Sequence, residues 1–240
     1  MNNKKKIIAV LPARGGSKRI KNKNIINFCG KPIIYYVLDT LKKSNIFDKI
    51  FVSTDSEKIK RIVEKKGFKV DFLRSKNLSN DKIGILYVLK DTLKKFELKN
   101  ICFDHAAIVF PCSPLLRKED LKNGYKIFKK NNYKYPVLSI AEYVSPPNRS
   151  LSLSRKNFIK IDDIKKFRNE LSMTKKFFDT GNFSFFPTKQ IDKIIKNSEK
   201  NKPFYKYIPY ILERIIAVDI NTYEDLEYAK KLYFLINKIK

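Results

Sequence analysis

The chain has 240 residues, 43% of them hydrophobic, and a formal charge of +28 from 52 Lys and Arg against 24 Asp and Glu. That length suits one sizeable core, and no apolar run approaches the roughly 18 residues that a spanning helix needs. Three irregularly spaced cysteines (Cys29, Cys102, Cys112) and a single histidine, His105, fit neither a disulfide framework, nor a zinc site, nor a histidine-based triad. The positive charge is spread over nearly every segment instead of lying on one stripe with interleaved aromatics. It therefore reads as Lys on solvated faces, and argues against a specific nucleic-acid partner while leaving weak nonspecific binding at low salt.

The N-terminus is basic and then apolar, but its apolar part is short and runs into an Arg/Gly stretch without a cleavage region, so it reads as the first strand of a cytoplasmic protein. That strand, residues 7–11, is β-branched and wholly apolar, the pattern of a strand buried on both faces. Pro32 opens a helix with Ile33, Ile34, Val37, Leu38 and Leu41 at helical spacing. Residues 49–54 read as a second strand, followed by a helix capped by Ser56 and closed by Gly67. A third short strand is expected over 70–73, a helix over 84–96, a fourth strand over 106–110 headed by a buried or strand-end His105, a helix over 118–130 and a strand over 136–140. The alternation then breaks. Residues 141–203 are polar, aromatic and less periodic, and are expected to form an inserted arm that covers the site or meets another subunit. Residues 214–220 return to strand character, and a last helix follows with Thr222 as N-cap, Asp225 as capping-box acid, and Leu226, Ala229, Leu232, Tyr233 and Ile236 on its inner face.

Strand–helix alternation at this spacing predicts a single α/β domain over 1–240 with a largely parallel, doubly wound sheet flanked by helices. Ligands bind beyond the carboxyl ends of such strands, so residues 12–24, 54–56, 74–81 and 111–113 are expected to be neighbours in space. The first of these segments reads PARGGSKRIKNKNI. Gly15 and Gly16 let backbone N–H groups line a concavity, and Arg14, Lys18, Arg19, Lys21 and Lys23 supply cations. Triphosphate carries charges that repel one another, and substitution at its α-phosphorus requires those charges to be neutralised and the leaving pyrophosphate stabilised. The spacing is neither GxxxxGK[ST] nor GxGxxG, so a P-loop and a dinucleotide fingerprint are both set aside.

PARGGSKRIKNKNI with FCGKPIIYYVL resembles the opening of the acylneuraminate cytidylyltransferases, and FVSTDSEKI, FLRSKNLSND, FPCSPLLR, DTGNFSFF and VDINTYEDLEYA resemble further motifs of that family in the same order. FCGKP and DTGNF look closest to its pseudaminic acid branch. The resemblance implies a Rossmann-like nucleotidyltransferase fold, a homodimer with an exchanged arm, and Mg²⁺-dependent transfer of CMP from CTP to the anomeric hydroxyl of a nine-carbon 2-keto sugar acid, with pyrophosphate released. Pseudaminic acid leads, and legionaminic and sialic acids are alternatives.

Carried over residue by residue, the resemblance implies that Arg14 and Lys23 are catalytic and that Arg14, Gly15, Gly16, Lys18, Lys23, Asn24, Arg74 and Asp81 bind the nucleotide. Arg149, Asp179, Asn182 and Phe183 are expected on the sugar side, and Asp219 with Asn221 at the metal. The chain departs from the family's pattern at Lys21 (usually Pro), at Ile85 (commonly a hydroxyl residue), at Phe110 (Gln in the sialic acid branch) and at Asn221 (usually Asp). Asn221 offers a neutral oxygen, so weaker metal binding is expected, and Cys112 is expected as a small packed residue, not a nucleophile.

Overall fold

A computed structural model of the chain describes residues 5–145, 147, 150–154, 158–162, 175–200 and 206–238. Its centre is a six-stranded sheet in the order β10 (Ile208–Ile211), β6 (Val137–Glu142), β9 (Phe177–Pro187), β5 (His105–Val109), β1 (Ile7–Pro12), β4 (Lys49–Ser53), and a separate short ribbon pairs β2 (Asn27–Phe28) with β3 (Lys31–Pro32). Strand β1 (Ile7–Pro12) lies between β4 (Lys49–Ser53) and β5 (His105–Val109), parallel to both, because its side chains are apolar on both faces and each face receives a helix. Helices α1 (Ile33–Ser44), α2 (Glu57–Lys65), α3 (Ile85–Glu97) and α4 (Lys118–Lys130) connect successive elements. Ser56 caps α2 through its hydroxyl, which accepts from the Ile59 N–H at 3.4 Å, and Gly67 follows the helix at φ +88°. The imidazole of His105 is buried at the head of β5 and stacks on Tyr133 at 4.2 Å.

Three segments differ from the reading of the sequence. Residues 70–73 make no strand: Val70 is buried and Phe72 packs on Phe51 and Phe96, so the apolar side chains are covered without backbone pairing. Residues 214–220 also make no strand. A turn at Glu213–Ala217 folds the run so that Ile216, Ala217 and Ile220 are buried, and the sheet edge is taken instead by β10 (Ile208–Ile211), parallel to β6 (Val137–Glu142). Most consequentially, β9 (Phe177–Pro187), inside the stretch expected to be an arm, is a central strand, antiparallel to both β5 and β6. Its pattern of aromatic and small polar residues obscured this, because polar Thr180, Asn182 and Ser184 are buried alongside Phe183, Phe185 and Phe186. Outside the sheet, the described part of that stretch holds a short hairpin, β7 (Leu151–Leu153) with β8 (Ile159–Ile161), and helix α5 (Ile191–Glu199).

Two devices seat β9. Gly124 on α4 approaches so closely that a Cβ there would stand 2.7 Å from the Phe183 ring, so only glycine lets this helix lie on the strand. The register with β6 slips between Leu138 and Ile140, where Gly181 takes φ +60° and Ser139 Oγ accepts the Phe183 N–H at 3.0 Å. The irregularity turns the backbone at Gly181 toward the carboxyl ends of β1 and β5, where the cavities lie.

A second, smaller core sits under those strand ends. It joins Ile20, Phe28, Ile33, Tyr36, Cys112 and Ile220 to Leu226 and Ala229 of the last helix, α6 (Tyr223–Lys238). The rings of Phe28, Tyr36 and Tyr233 meet edge to face, with centroids 5.2–5.6 Å apart. Helix α6 starts with the expected reciprocal cap: Thr222 Oγ1 accepts from the Asp225 N–H at 3.2 Å, and Asp225 Oδ2 accepts from the Thr222 N–H at 2.7 Å.

Candidate active site

The basic stretch after β1 wraps over the small core, with Ile20 inserted and wholly buried, and its Arg14, Lys18, Arg19 and Lys23, though not Lys21, line one cleft of about 420 Å³. Arg14, Lys18, Lys23, Asn24, Arg74, Asp81, Asp219 and Asn221 all line this cleft, as do Pro12, Pro111, Cys112 and Ser113. The strand-end segments expected to be neighbours therefore converge. The 54–56 segment joins them from behind: the Arg74 N–H donates to the Thr54 carbonyl at 2.7 Å, and the Gly15 N–H donates to Asp55 Oδ1 at 2.8 Å. Neither glycine forms part of the lining. Gly15 lets the loop press on α2, since a Cβ there would lie 2.9 Å from the Ser56 Cβ, whereas Gly16 faces open space.

The charges in the cleft are unequally satisfied. Asp81 pairs with Lys18 at 2.8 Å and with Arg14, and these hydrogen bonds hold its carboxyl down to about 2. In this state Asp81 sits on two of the cations expected to hold phosphate. Arg74 is 7% exposed. Its Nε donates to Ser79 Oγ at 3.1 Å, but its buried Nη2 has no hydrogen-bond partner among the described residues and lies 4.0 Å from Asp55. Burial lowers the guanidinium pKa, and the charge of Asp55 opposes that shift. An unsatisfied buried donor of this kind costs about 1–3 kcal/mol, which an acceptor atom on a ligand would remove.

Asn24 is buried and braces the loop: its Nδ2 donates to the Arg14 carbonyl at 2.9 Å, and its Oδ1 accepts from the Cys112 thiol at 3.3 Å. Burial pushes Cys112 up to about 12, so it stays a protonated thiol at neutral pH, which suits packing and not nucleophilic attack. Asp219 and Asn221 are adjacent, with Asn221 Nδ2 donating to Asp219 Oδ2 at 2.5 Å and Asn221 Oδ1 accepting from Arg19 at 2.7 Å. Asp219 Oδ1 is uncommitted among the described residues. One carboxylate with a free oxygen beside a phosphate-sized basic cleft is a donor set that fits Mg²⁺, which takes one or two protein carboxylates together with phosphate oxygens.

A second cavity of about 350 Å³ adjoins the first, and Ile85, Phe110 and Gly181 line both. Its walls include Tyr87, Leu138, Phe183, Phe186, Ile195 and Tyr207, with the carboxylates of Asp179 and Glu199 and, among the described residues, no Lys or Arg. Asp179 and Phe183, two of the residues expected on the sugar side, line this cavity. Asn182 does not: it is wholly buried, lines neither cavity, and both its amide atoms lack partners among the described residues. Arg149 lies outside the described residues. Desolvation raises the pKa of Asp179 and the charge of Asp219 adds to the shift, while a hydrogen bond from the Gly181 N–H at 2.9 Å opposes it. Arg19 also belongs to the cleft, although local pattern marks it only as one of several loop cations. The alternation of buried Ile20 with basic neighbours is the signal that could have found it.

Known proteins match this chain along its length. The family described as Cytidylyltransferase matches residues 8–239. The chain is 35% identical over 232 residues to a pseudaminic acid cytidylyltransferase of Campylobacter jejuni subsp. jejuni serotype O:2, covering 95% of this chain and 96% of that protein. It is 30% identical to a CMP-N,N'-diacetyllegionaminic acid synthase of Legionella pneumophila subsp. pneumophila, again covering 95% and 96%. Among solved structures, a CMP:2-keto-3-deoxy-manno-octonic acid synthetase complexed with CTP superposes with a TM-score of 0.71 over 96% of this chain and 99% of that one, at 14% identity, a likeness of fold.

The Asp81 contacts generate a prediction. Asp81→Asn removes an anion that competes for Arg14 and Lys18, and exposed pairs of this kind are weakened by solvent screening. Inorganic pyrophosphate should then bind about two- to fivefold more tightly by calorimetry. Weaker binding in the variant would mean that Asp81 supports the ligand instead of standing in for it.

Proposed function

Because the chain belongs to the cytidylyltransferase family, we propose that it transfers CMP from CTP to the anomeric hydroxyl of a nonulosonic acid, releasing pyrophosphate. Pseudaminic acid is the preferred acceptor: of the two relatives compared, the one named for it is the more similar. The observation that carries the reading is the cleft, where Arg14, Lys18, Arg19, Lys23 and Arg74 converge and the Arg74 guanidinium is buried with a donor to spare.

In this reading Arg14, Lys18 and Lys23 hold the triphosphate, and Lys23 meets the charge that develops at the α-phosphate. The sugar's hydroxyl oxygen bonds to the α-phosphorus as the bond to the α–β bridging oxygen breaks. The leaving pyrophosphate takes that electron pair into a nest of cations already in place, which need no reorganisation during the step. Asp219 would hold Mg²⁺, which when bound draws charge from the phosphate oxygens. The second cavity takes the sugar. With Asp179 and Glu199 in its walls, and no Lys or Arg among the described lining residues, it disfavours the substrate's carboxylate. The carboxylate stays toward the basic cleft, and N-acyl and methyl groups enter among Leu138, Phe183, Phe186 and Ile195. Asp179, at the wall near Gly181, accepts the hydroxyl's proton, and its raised pKa makes it a better base than an ordinary aspartate.

The assembled form is a homodimer. Support comes from the β7–β8 hairpin, whose Leu153, Phe158 and Ile159 are 71%, 70% and 72% exposed, an apolar surface that a second copy would cover. Sedimentation velocity at micromolar concentration should report a dimer that Leu153→Asp disrupts, and a monomeric wild-type protein would remove this surface from consideration.

Incubation with CTP, Mg²⁺ and a panel of pseudaminic, legionaminic and sialic acids should release pyrophosphate, fastest with the first. Release with none of them would overturn the proposed activity. Lys23→Ala should lower kcat by about a hundredfold or more with an unchanged circular dichroism spectrum, and full turnover would exclude Lys23 from the chemistry. Asp179 must be ionised to act as base, so kcat/KM should fall as pH drops through its raised pKa. Asp179→Asn should cost about 10²–10⁴ in rate and abolish that acid limb. An acid limb that survives the substitution belongs to another group.

A further inference from the structure

At position 221 a carboxamide stands where the family resemblance leads to a second carboxylate beside Asp219, and its polar atoms are already engaged. Oδ1 accepts from Arg19 Nη2 at 2.7 Å and, more distantly, from Lys23 Nζ at 3.5 Å. Nδ2 donates to Asp219 Oδ2 at 2.5 Å. The backbone N–H donates at 2.8 Å to Asp225 Oδ2, the carboxylate that also caps α6. The orientation of the amide follows from its neighbours: turned the other way, its NH₂ would face two cations and its oxygen a carboxylate. A carboxylate could not replace it here without a proton or a cation between it and Asp219, since like charges at this separation repel strongly. A carboxamide can donate to one side and accept from the other, and it adds no charge.

We infer that Asn221 is a positioning residue and not a metal ligand, and that Arg19, which it holds over the cleft, is a further triphosphate-binding cation. The inference rests on the CMP-transfer reading for the identity of the ligand. Five cations, Arg14, Lys18, Arg19, Lys23 and Arg74, line the cleft against two carboxylates, Asp81 and Asp219. Asn in place of Asp leaves this balance one unit more positive. Two consequences follow from that charge. Nucleoside triphosphate binds appreciably without a divalent cation, because protein cations already neutralise it. Of the two cleft carboxylates Asp81 is paired with Arg14 and Lys18, so the cation finds Asp219 alone among the described lining residues; its affinity for the empty protein is low and it binds chiefly with the nucleotide. Asn221 fixes the Asp219 side chain by a hydrogen bond, a service that a metal ion would otherwise have to perform between two carboxylates.

Calorimetry with CTP in excess chelator, together with Mn²⁺ binding followed by electron paramagnetic resonance, tests this on the full chain. Arg19 is exposed, so Arg19→Gln leaves the core untouched. Wild type should bind CTP without metal. Arg19→Gln and Asn221→Ala should each weaken that binding about five- to tenfold, the scale of one charge-assisted contact, and the double variant should be no weaker than the worse single one, because Asn221 acts through Arg19. Mn²⁺ affinity of Asn221→Ala should stay within about twofold of wild type, and Asn221→Asp should raise Mn²⁺ affinity about tenfold while weakening metal-free CTP binding. Loss of Mn²⁺ binding in Asn221→Ala with metal-free CTP affinity unchanged would make Asn221 a ligand and overturn the inference. Additive losses in the double variant would also overturn it, by making the two residues independent. If CTP binds but neither variant affects it, the inference fails and the proposed activity stands; if wild type binds no CTP with or without metal, both fail.

Discussion

Like charges repel, and this chain gathers three guanidinium and two ammonium groups around a single cleft. The two carboxylates that line the cleft, Asp81 and Asp219, are too few to offset five cations before a ligand arrives, so the rest of the fold must help hold them. Apolar anchorage does so from below: Ile20, in the middle of the basic loop, is buried with Phe28, Cys112 and Leu226, and pulling a cation away would expose that small core. Polar braces do so from the sides. Asp55 takes the Gly15 N–H, Asn24 takes the Arg14 carbonyl, Asp81 pairs with Arg14 and Lys18, and Asn221 takes Arg19. The cation cluster is therefore preorganised, which is the condition under which electrostatic stabilisation of a developing charge is most effective.

Among the described residues the neighbouring cavity has the opposite character, and in the proposed function that contrast orients the substrate. A molecule with an anionic end and a neutral, methyl-bearing end has one favourable direction across the boundary at Ile85, Phe110 and Gly181. Gly181 occupies that boundary because β9 is irregular there, with the backbone in the left-handed region where glycine is unstrained. The reversed strand thus supplies both compartments: its Phe183 and Phe186 furnish apolar wall, Asp179 the carboxylate, and Gly181 the passage between them.

Some of this was legible from local pattern. The parallel strands β1, β4 and β5 announce themselves as short apolar runs, because burial on both faces leaves no room for polar residues. The caps of α2 and α6 were readable because capping needs particular side chains at fixed offsets. β9 was not readable as a central strand. Its buried Thr180 is satisfied across the sheet, where its hydroxyl meets that of Ser139 at 2.8 Å, and such a partner is distant in sequence. Residues 70–73 and 214–220 failed for the converse reason. Apolar side chains were buried as expected, but against aromatic rings and helix α6, where no neighbouring backbone was available to pair with them.

The sequence by itself determined the alternating α/β order, the basic glycine loop after the first strand, and the convergence of strand-end segments, since these follow from periodicity and from the direction of a parallel sheet. Tertiary structure alone decided which polar groups face ligand and which face one another. Asn24 turned inward to the Arg14 carbonyl, Asp81 came to rest on the cations, Asn182 was sealed in the core, and Arg19 was drawn into the cleft by Asn221. A side chain's role there depends on partners up to about two hundred positions away, and no local pattern in a chain encodes the direction in which a hydrogen bond will point.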